Sequence, residues 1–516
     1  MGGAQSRRTT STSTRAAAAV AAVVVLAAAC TSAKTSVSQA VPAAPVPLDQ
    51  RDTAAEGSDR DPSSGTGRPW SDVVEGVLTF RGNPTRTYYG EGPVPMRPVR
   101  LWTFPERAMC SESSEGDETR VWCGTGWTGQ PAVWERDGHT WVAFGAYDRA
   151  VHVLDGETGE RLLPDFLTGD IIKGSVTVDP DGYPLLYTGS RDGKYRALAF
   201  DRDELTELWH IDAHDVAPTM WNDDWDGSGL VIDDVLLEGG ENSRFHAVRL
   251  HRTYGADKLV TVDPEIVFHT AGWDDELLSD IGDRQVSIEN SVAVYDDVVY
   301  FSNSGGLVQG WDISSLLSDD DDAGAQADGH REPERVFRYW AGDDTDASIV
   351  VDDDGMLYVA VEFERHTARS AEIGQLLKLD PGADEPLVWS VRVEERGLEG
   401  KGGFWATPAL HRDLVIAPTH DGRILGVDRE TGVVRWEKDL PGPLWQSPVI
   451  VDDVLVQGDC EGVLHGFDVS NTKVVPPELW EITLGGCIES TPVVWRGRIY
   501  VGSRGGYFHA VGDPAT

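Results

Sequence analysis

The sequence predicts an all-β fold, an eight-bladed β-propeller of four-stranded antiparallel blades, closed by an N-terminal strand that completes the last blade. Three observations carry the prediction. Short Val-, Ile- and Tyr-rich runs lie among 56 Gly, 28 Pro and 18 Trp, the composition of many strands joined by tight turns. A self-similar unit recurs near the C-terminus: Trp405-Ala406-Thr407-Pro408-Ala409-Leu410, Trp445-Gln446-Ser447-Pro448-Val449-Ile450 and Glu489-Ser490-Thr491-Pro492-Val493-Val494. The last unit stops after a third strand at Ala510-Val511-Gly512, whereas Val99-Arg100-Leu101-Trp102-Thr103-Phe104 reads as a Trp-bearing fourth strand with no unit of its own. A four-stranded unit cannot bury both faces of its sheet alone; closure into a ring of neighbours achieves that burial and removes open sheet edges.

In chain order, residues 1–29 read as an export signal, with Arg7, Arg8 and Arg15 ahead of an apolar run from Ala16 to Ala29. That run ends Leu26-Ala27-Ala28-Ala29-Cys30, which resembles a bacterial lipobox and makes Cys30 the expected lipidation site. Residues 30–69 are rich in Ala, Pro, Ser and Asp and form an acidic tether, reaching roughly 35 Å as a flexible coil. A lead-in segment spans 70–97, the propeller 98–512 and a short tail 513–516.

The first blade holds Gln130-Pro131-Ala132-Val133, Trp141-Val142-Ala143-Phe144-Gly145 and the turn Asp155-Gly156-Glu157-Thr158-Gly159. Blade two holds Ser175-Val176-Thr177-Val178 and Trp209, and blade three Leu230-Val231-Ile232 and Phe245-His246-Ala247-Val248. Blade four holds Ser291-Val292-Ala293-Val294 and Trp340, and blade five Ile349-Val350-Val351 and Trp389. Blades six and seven carry Trp436 and Trp480 on their fourth strands, and Trp102 serves blade eight.

Asp428-Arg429-Glu430-Thr431-Gly432-Val433-Val434-Arg435-Trp436 resembles the repeat of the quinoprotein-like propellers, in which Asp-x-x-Thr-Gly-x-x-x-Trp joins third and fourth strands. Leu78-Thr79-Phe80-Arg81-Gly82-Asn83-Pro84-Thr85-Arg86-Thr87 is similar to the segment that precedes the first blade in that superfamily. The resemblance implies that Trp209, Trp340, Trp389, Trp436 and Trp480 dock blades. It covers quinone-dependent dehydrogenases and also a non-catalytic lipoprotein subunit of the outer-membrane assembly machine. The dehydrogenases hold their quinone beneath a disulfide between consecutive cysteines, beside Ca²⁺ held by Glu, Asn and Asp. No Cys-Cys dipeptide occurs in this chain.

After Cys30 four cysteines remain, which permit three pairings. Topology selects Cys110 with Cys123, within the link before blade one, and Cys460 with Cys487, on loops of adjacent blades that emerge on one ring face. Each bridge contributes about 3 kcal/mol by loop-closure arithmetic.

The formal charge of −42 becomes −45 without residues 1–29 (−42 − 3), which removes nucleic acid as a partner because phosphate binding needs a basic surface. Carboxylates gather where the first strands begin, at the expected channel mouth: Asp223, Asp224 and Asp226, then Glu289 with Asn290, then Asp344 and Asp346, with Glu238, Glu241 and Asn242 on the same face. Asp226, Glu289, Asn290, Asp344 and Asp346 are the candidate ligands for Ca²⁺, which takes hard oxygen donors in tolerant geometry. No other cofactor is expected. Trp405 and Trp445 read as inter-blade packing or as a sugar-stacking patch.

The expected function is that of an exported, lipid-anchored, monomeric binding or scaffold propeller, acting without catalysis on a protein or polymer of the cell envelope. One alternative is a Ca²⁺-dependent quinoprotein oxidoreductase, with Glu289 and Asn290 on the metal and Asp344 or Asp346 as base. The other is metal-dependent binding or processing of polysaccharide.

Overall fold

The computed structural model describes residues 66–115, 118–127, 129–317, 332–393 and 402–514. The export signal, Cys30 and nearly all of the tether lie outside the described residues. Eight four-stranded antiparallel sheets follow one another along the chain, as the repeat predicts. Val99–Phe104 pairs antiparallel with Tyr507–Gly512, so the N-terminal strand completes blade eight and shuts the ring.

Burial explains why the strands read as they do. The second strand of blade two, Leu185–Ser190, is buried throughout because neighbouring blades cover both of its faces. The fourth strands form the rim: Glu478–Thr483 buries only Trp480 and is otherwise polar or half-covered. Strands one and two meet in tight turns where Asp takes the left-handed conformation, as at Asp233-Asp234 and Asp452-Asp453, a geometry that matches the twist of a two-residue hairpin.

The Asp-x-x-Thr-Gly turn is a docking plate. In blade six the Asp428 carboxylate accepts from the backbone N–H of Glu430 and Thr431 and from the Thr431 hydroxyl. This leaves Gly432 at φ +72°, and a Cβ there would lie 2.8 Å from the ring of Trp389, the fourth-strand tryptophan of blade five. Trp389 Nε1 donates to the Arg429 carbonyl at 3.1 Å. The same joint closes the ring, where Trp102 lies on Gly159 of blade one and donates to the Gly156 carbonyl at 3.1 Å.

Trp340 departs from this scheme. The bulge that aligns the docking residue places Gly310 opposite Phe337 in blade four, as Gly426 stands opposite Trp436 in blade six. Phe337 holds the docking position; Trp340 lies three residues beyond it and donates to Gly305 of its own blade.

A Ser or Thr just ahead of the first strand, the position that precedes proline in blades six and seven, builds a belt along the channel from blade three to blade seven. Backbone N–H groups of Ser228, Ser291, Ser348 and Thr407 donate in turn to the hydroxyls of Ser291, Ser348, Thr407 and Ser447, each at 2.9–3.0 Å. Every link joins one blade to the next at the innermost strand.

Two histidines clamp third strands to their surroundings. His152 lies between Asp148 and Asp165, and His465 between Asp459 and Glu478. Burial disfavours the charged imidazole, but the flanking carboxylates outweigh it and raise both pKa values. The stability gained is fully present below the unfolded-state value near 6.5 and is lost as pH rises through the elevated folded-state values. The melting temperature should therefore fall from about pH 6 to about pH 8 more steeply in the wild type than in a His152→Gln/His465→Gln protein, measured by calorimetry.

Candidate binding site at the channel mouth

The lead-in segment is a hub that closes one end of the channel. Gly76–Val77 adds a fifth strand to blade one, and Gly90–Glu91 adds one to blade eight in parallel register. Between them, the Leu78 carbonyl accepts from Val178 in blade two, Pro84 from Val294 in blade four and Thr85 from Val351 in blade five. Arg81 and Arg86 are fully buried. Arg81 donates to the carbonyls of Pro408 and Pro448, both at 2.6 Å, and its ring contact is Tyr89. Arg86 donates to the carbonyls of Ser228 at 2.7 Å and Val292 at 2.6 Å. All eight innermost strands are thus tied to one segment. Glu238, expected at the mouth, lies instead inside blade three. It is held up to about 8 by burial, and the Arg86 charge opposes that rise.

The opposite end is open. A cavity of about 540 Å³ is lined by Lys173, Glu241, Glu289, Asp344, Asp346 and Glu362 together with Trp122, Trp127, Trp405 and Trp445. A neighbouring hollow of about 810 Å³ shares Glu289, Asp344 and Trp221 with it and extends to Trp340 and Arg365.

The acidic residues fall into two halves. In the first, Lys173 Nζ sits among Asp224 at 3.3 Å, Glu241 at 3.1 Å and Asp226, while Arg191 pairs with Asp224 at 2.8 Å. Burial disfavours the ammonium, and the three carboxylates more than reverse this, holding Lys173 well above its ordinary pKa. The second half is Glu289, Asp344, Asp346 and Glu362. Among the described residues none of the four has an ion-pair partner, and Asp344 and Asp346 hydrogen-bond to each other. Burial first, and repulsion among the group second, push all four well above the usual carboxylate range. Asp226 Oδ1, Asp344 Oδ1, Asp346 Oδ1 and Glu362 Oε1 are buried without a hydrogen-bond partner.

Four of the five predicted ligands therefore meet at the mouth. Asn290 does not join them: its side chain donates to Ser302 and to the Thr345 carbonyl and accepts from Ser302 N–H, joining blades four and five. Asp223 faces His214 on the surface, and Asn242 ties its own turn to the Ala213 carbonyl. Two members were not foreseen. Lys173 lies on the link into blade two, and Glu362 arrives on an insertion in blade five, where Glu362–Phe363 pairs with Gly402–Gly403.

Aromatic rings form the facing wall. Trp405 stacks on Trp445 at 5.3 Å and 14°, Trp127 approaches Trp405 at 5.7 Å, and Trp445 Nε1 donates to His420 at 2.8 Å. Trp127 also encloses a small void with Asp226, Glu289 and Asp346. Both disulfides pair as expected, Cys110 with Cys123 and Cys460 with Cys487. The first pins the hairpin Cys110–Glu115/Glu118–Cys123 whose Trp122 reaches the cavity.

The site's fit to a quinone and to a metal differs. Neither disulfide joins consecutive cysteines and no cysteine lines the cavity, so the residues do not match the quinone seat of the dehydrogenases. The orphaned carboxylate oxygens are donors suited to a cation.

Residues 334–513 match a family model described as the outer membrane protein assembly factor BamB. No curated protein matches the chain. Among solved structures, the quinohemoprotein alcohol dehydrogenase of Comamonas testosteroni is 13% identical, with TM-score 0.53, over 86% of this chain and 81% of its own. A europium-containing methanol dehydrogenase is 13% identical, with TM-score 0.51, over 83% and 89% respectively. Sqt1 of Saccharomyces cerevisiae is 9% identical, with TM-score 0.51, over 81% and 100%. At these identities the likeness concerns the fold, which hosts dehydrogenases and proteins of other kinds alike.

Proposed function

Because this chain is a quinoprotein-like β-propeller, we propose that it serves as an exported, lipid-anchored, monomeric binding module of the cell envelope that engages a protein or polymer through its open channel mouth. One observation carries the reading: the hub shuts one end of the channel, and the other opens on Glu289, Asp344, Asp346 and Glu362, which have no ion-pair partner among the described residues, beside a tryptophan wall. The lipobox-like run ending at Cys30 supports the anchor, and the family model matching residues 334–513 is named for an envelope assembly factor. A second reading is Ca²⁺ held by Asp226, Glu289, Asp344 and Asp346, favoured by the unpartnered Oδ1 atoms of the three aspartates. Sugar stacking is less favoured, because Trp445 and His420 already cover Trp405 at 5.3 and 4.6 Å.

Site-specific photocrosslinking in the native envelope tests the binding reading. A photoreactive residue at Trp221, which is 53% exposed at the mouth, is expected to give a defined adduct. One at Val73, 73% exposed beside Gly182 on the closed face, is expected to give none. Equal labelling at both positions, or none at either, would reject the mouth as the binding surface.

A further inference from the structure

From the pairing of orphaned carboxylates with an aromatic wall, we infer that the mouth binds a primary alkylammonium group, seated among Glu289, Asp344, Asp346 and Glu362 with its carbon chain along Trp127. The inference rests on the mouth being the ligand site and names the chemistry that it takes.

The chain supplies its own precedent. Half of the acidic cluster is satisfied by Lys173, whose Nζ reaches Asp224, Asp226 and Glu241. The other half offers the same donor-hungry oxygens and has no ion-pair partner among the described residues: Glu362, only 2% exposed, lines the cavity and has an unpartnered Oε1, and Asp344 Oδ1 and Asp346 Oδ1 are likewise without a hydrogen-bond partner. Three N–H donors on a primary ammonium match such a group of separate acceptors, as Lys173 shows. A quaternary ammonium has none to give, and the oxygens would stay unpaired.

The facing wall distinguishes an amine from a metal ion. A bare divalent cation needs oxygen donors all round, whereas Trp127 closes the void at Asp226, Glu289 and Asp346 with an indole. Aromatic faces attract an organic cation and cover its methylene groups. The space, about 540 Å³, also exceeds what an ion requires and accommodates an amine-bearing chain. Burial and mutual repulsion favour the protonated form of these four carboxyls, so binding of an ammonium among them, which favours the ionised form, is coupled to proton release.

Isothermal titration of the mature full-length protein tests this with n-butylamine, Nα-acetyl-lysine methylamide, tetramethylammonium and CaCl₂. Both primary amines are expected to bind, with heats that depend on the buffer's ionisation enthalpy. Tetramethylammonium should bind about tenfold more weakly, and Glu362→Gln and Asp346→Asn should each weaken butylamine about tenfold. The acetyl-lysine arm binding more tightly assigns the ammonium to a polypeptide side chain, and the butylamine arm to a free amine; either result supports the inference. Saturation-transfer NMR on the wild type reads amine contact without any variant. Absence of primary-amine binding, affinity unchanged in both variants, or competitive displacement of butylamine by tighter-binding Ca²⁺ overturns it. Mouth crosslinks without amine binding would defeat this inference alone, and amine binding without mouth crosslinks would defeat only the envelope-partner reading.

Discussion

Replacing Arg86 with alanine is expected to destabilise the propeller by about 3–5 kcal/mol, read as a lower urea midpoint at unchanged m-value. The guanidinium is fully buried and donates to four carbonyl or hydroxyl oxygens, those of Ser228, Val292, Phe80 and Thr79. Truncation leaves those acceptors dry and opens a cavity at the join of blades three and four. Arg86→Lys is expected to recover only a minor part, since one ammonium cannot reproduce a planar fork that serves separate carbonyls. A loss under about 1 kcal/mol for Arg86→Ala would mean that the hub is a passive filler.

Trp102→Ala should cost a similar amount, about 3–5 kcal/mol, and should be distinguishable by where the ring loosens. Trp102 lies on Gly159, donates to Gly156 and stands within 6.1 Å of both Tyr500 and Phe508. It is the one docking tryptophan carried by a strand from the far end of the chain. Amide hydrogen exchange in Tyr507–Gly512 is expected to accelerate towards the global unfolding rate, whereas Trp389→Ala should loosen only the joint between blades five and six. The freed edge of blade eight is a template for pairing with other chains, so the Trp102 variant should also aggregate sooner on heating. Uniform loosening in both variants would contradict this assignment of Trp102.

Most of the fold is legible because the repeat encodes contacts that every blade must make. A Ser or Thr ahead of the first strand supplies the belt hydroxyl in blades four to seven, Asp-x-x-Thr-Gly forms the plate in blades one and six, and a fourth-strand aromatic covers it. Trp340 misleads because Phe337 can do the same task, which frees a nearby tryptophan for other surroundings. At the mouth, Asp226, Glu289, Asp344 and Asp346 are legible from their place just ahead of first strands. Asn290 is not, because adjacent residues in extended chain point opposite ways and Glu289 takes the side facing the channel. Glu362 sits on an insertion outside the repeat's register. The hub is the largest omission, since lone arginines ordinarily signal surface. A signal does exist: residues 76–90 contain two arginines and no acidic residue, in a chain with 86 of them.

The hub also sets a gauge. Its bonds are distributed one blade at a time, from the strand added at Gly76–Val77, through the carbonyls of Leu78, Pro84 and Thr85 and the forks of Arg81 and Arg86, to the strand added at Gly90–Glu91. A ring with one repeat fewer would strand a buried donor or acceptor at the centre, and a ring with one more would leave an inner strand with nothing to hold. Tandem repeats ordinarily gain and lose copies by duplication and deletion. Here the number is counted by a segment that is not itself a repeat, so a change in blade number requires a matching change in about a dozen residues far away in the sequence.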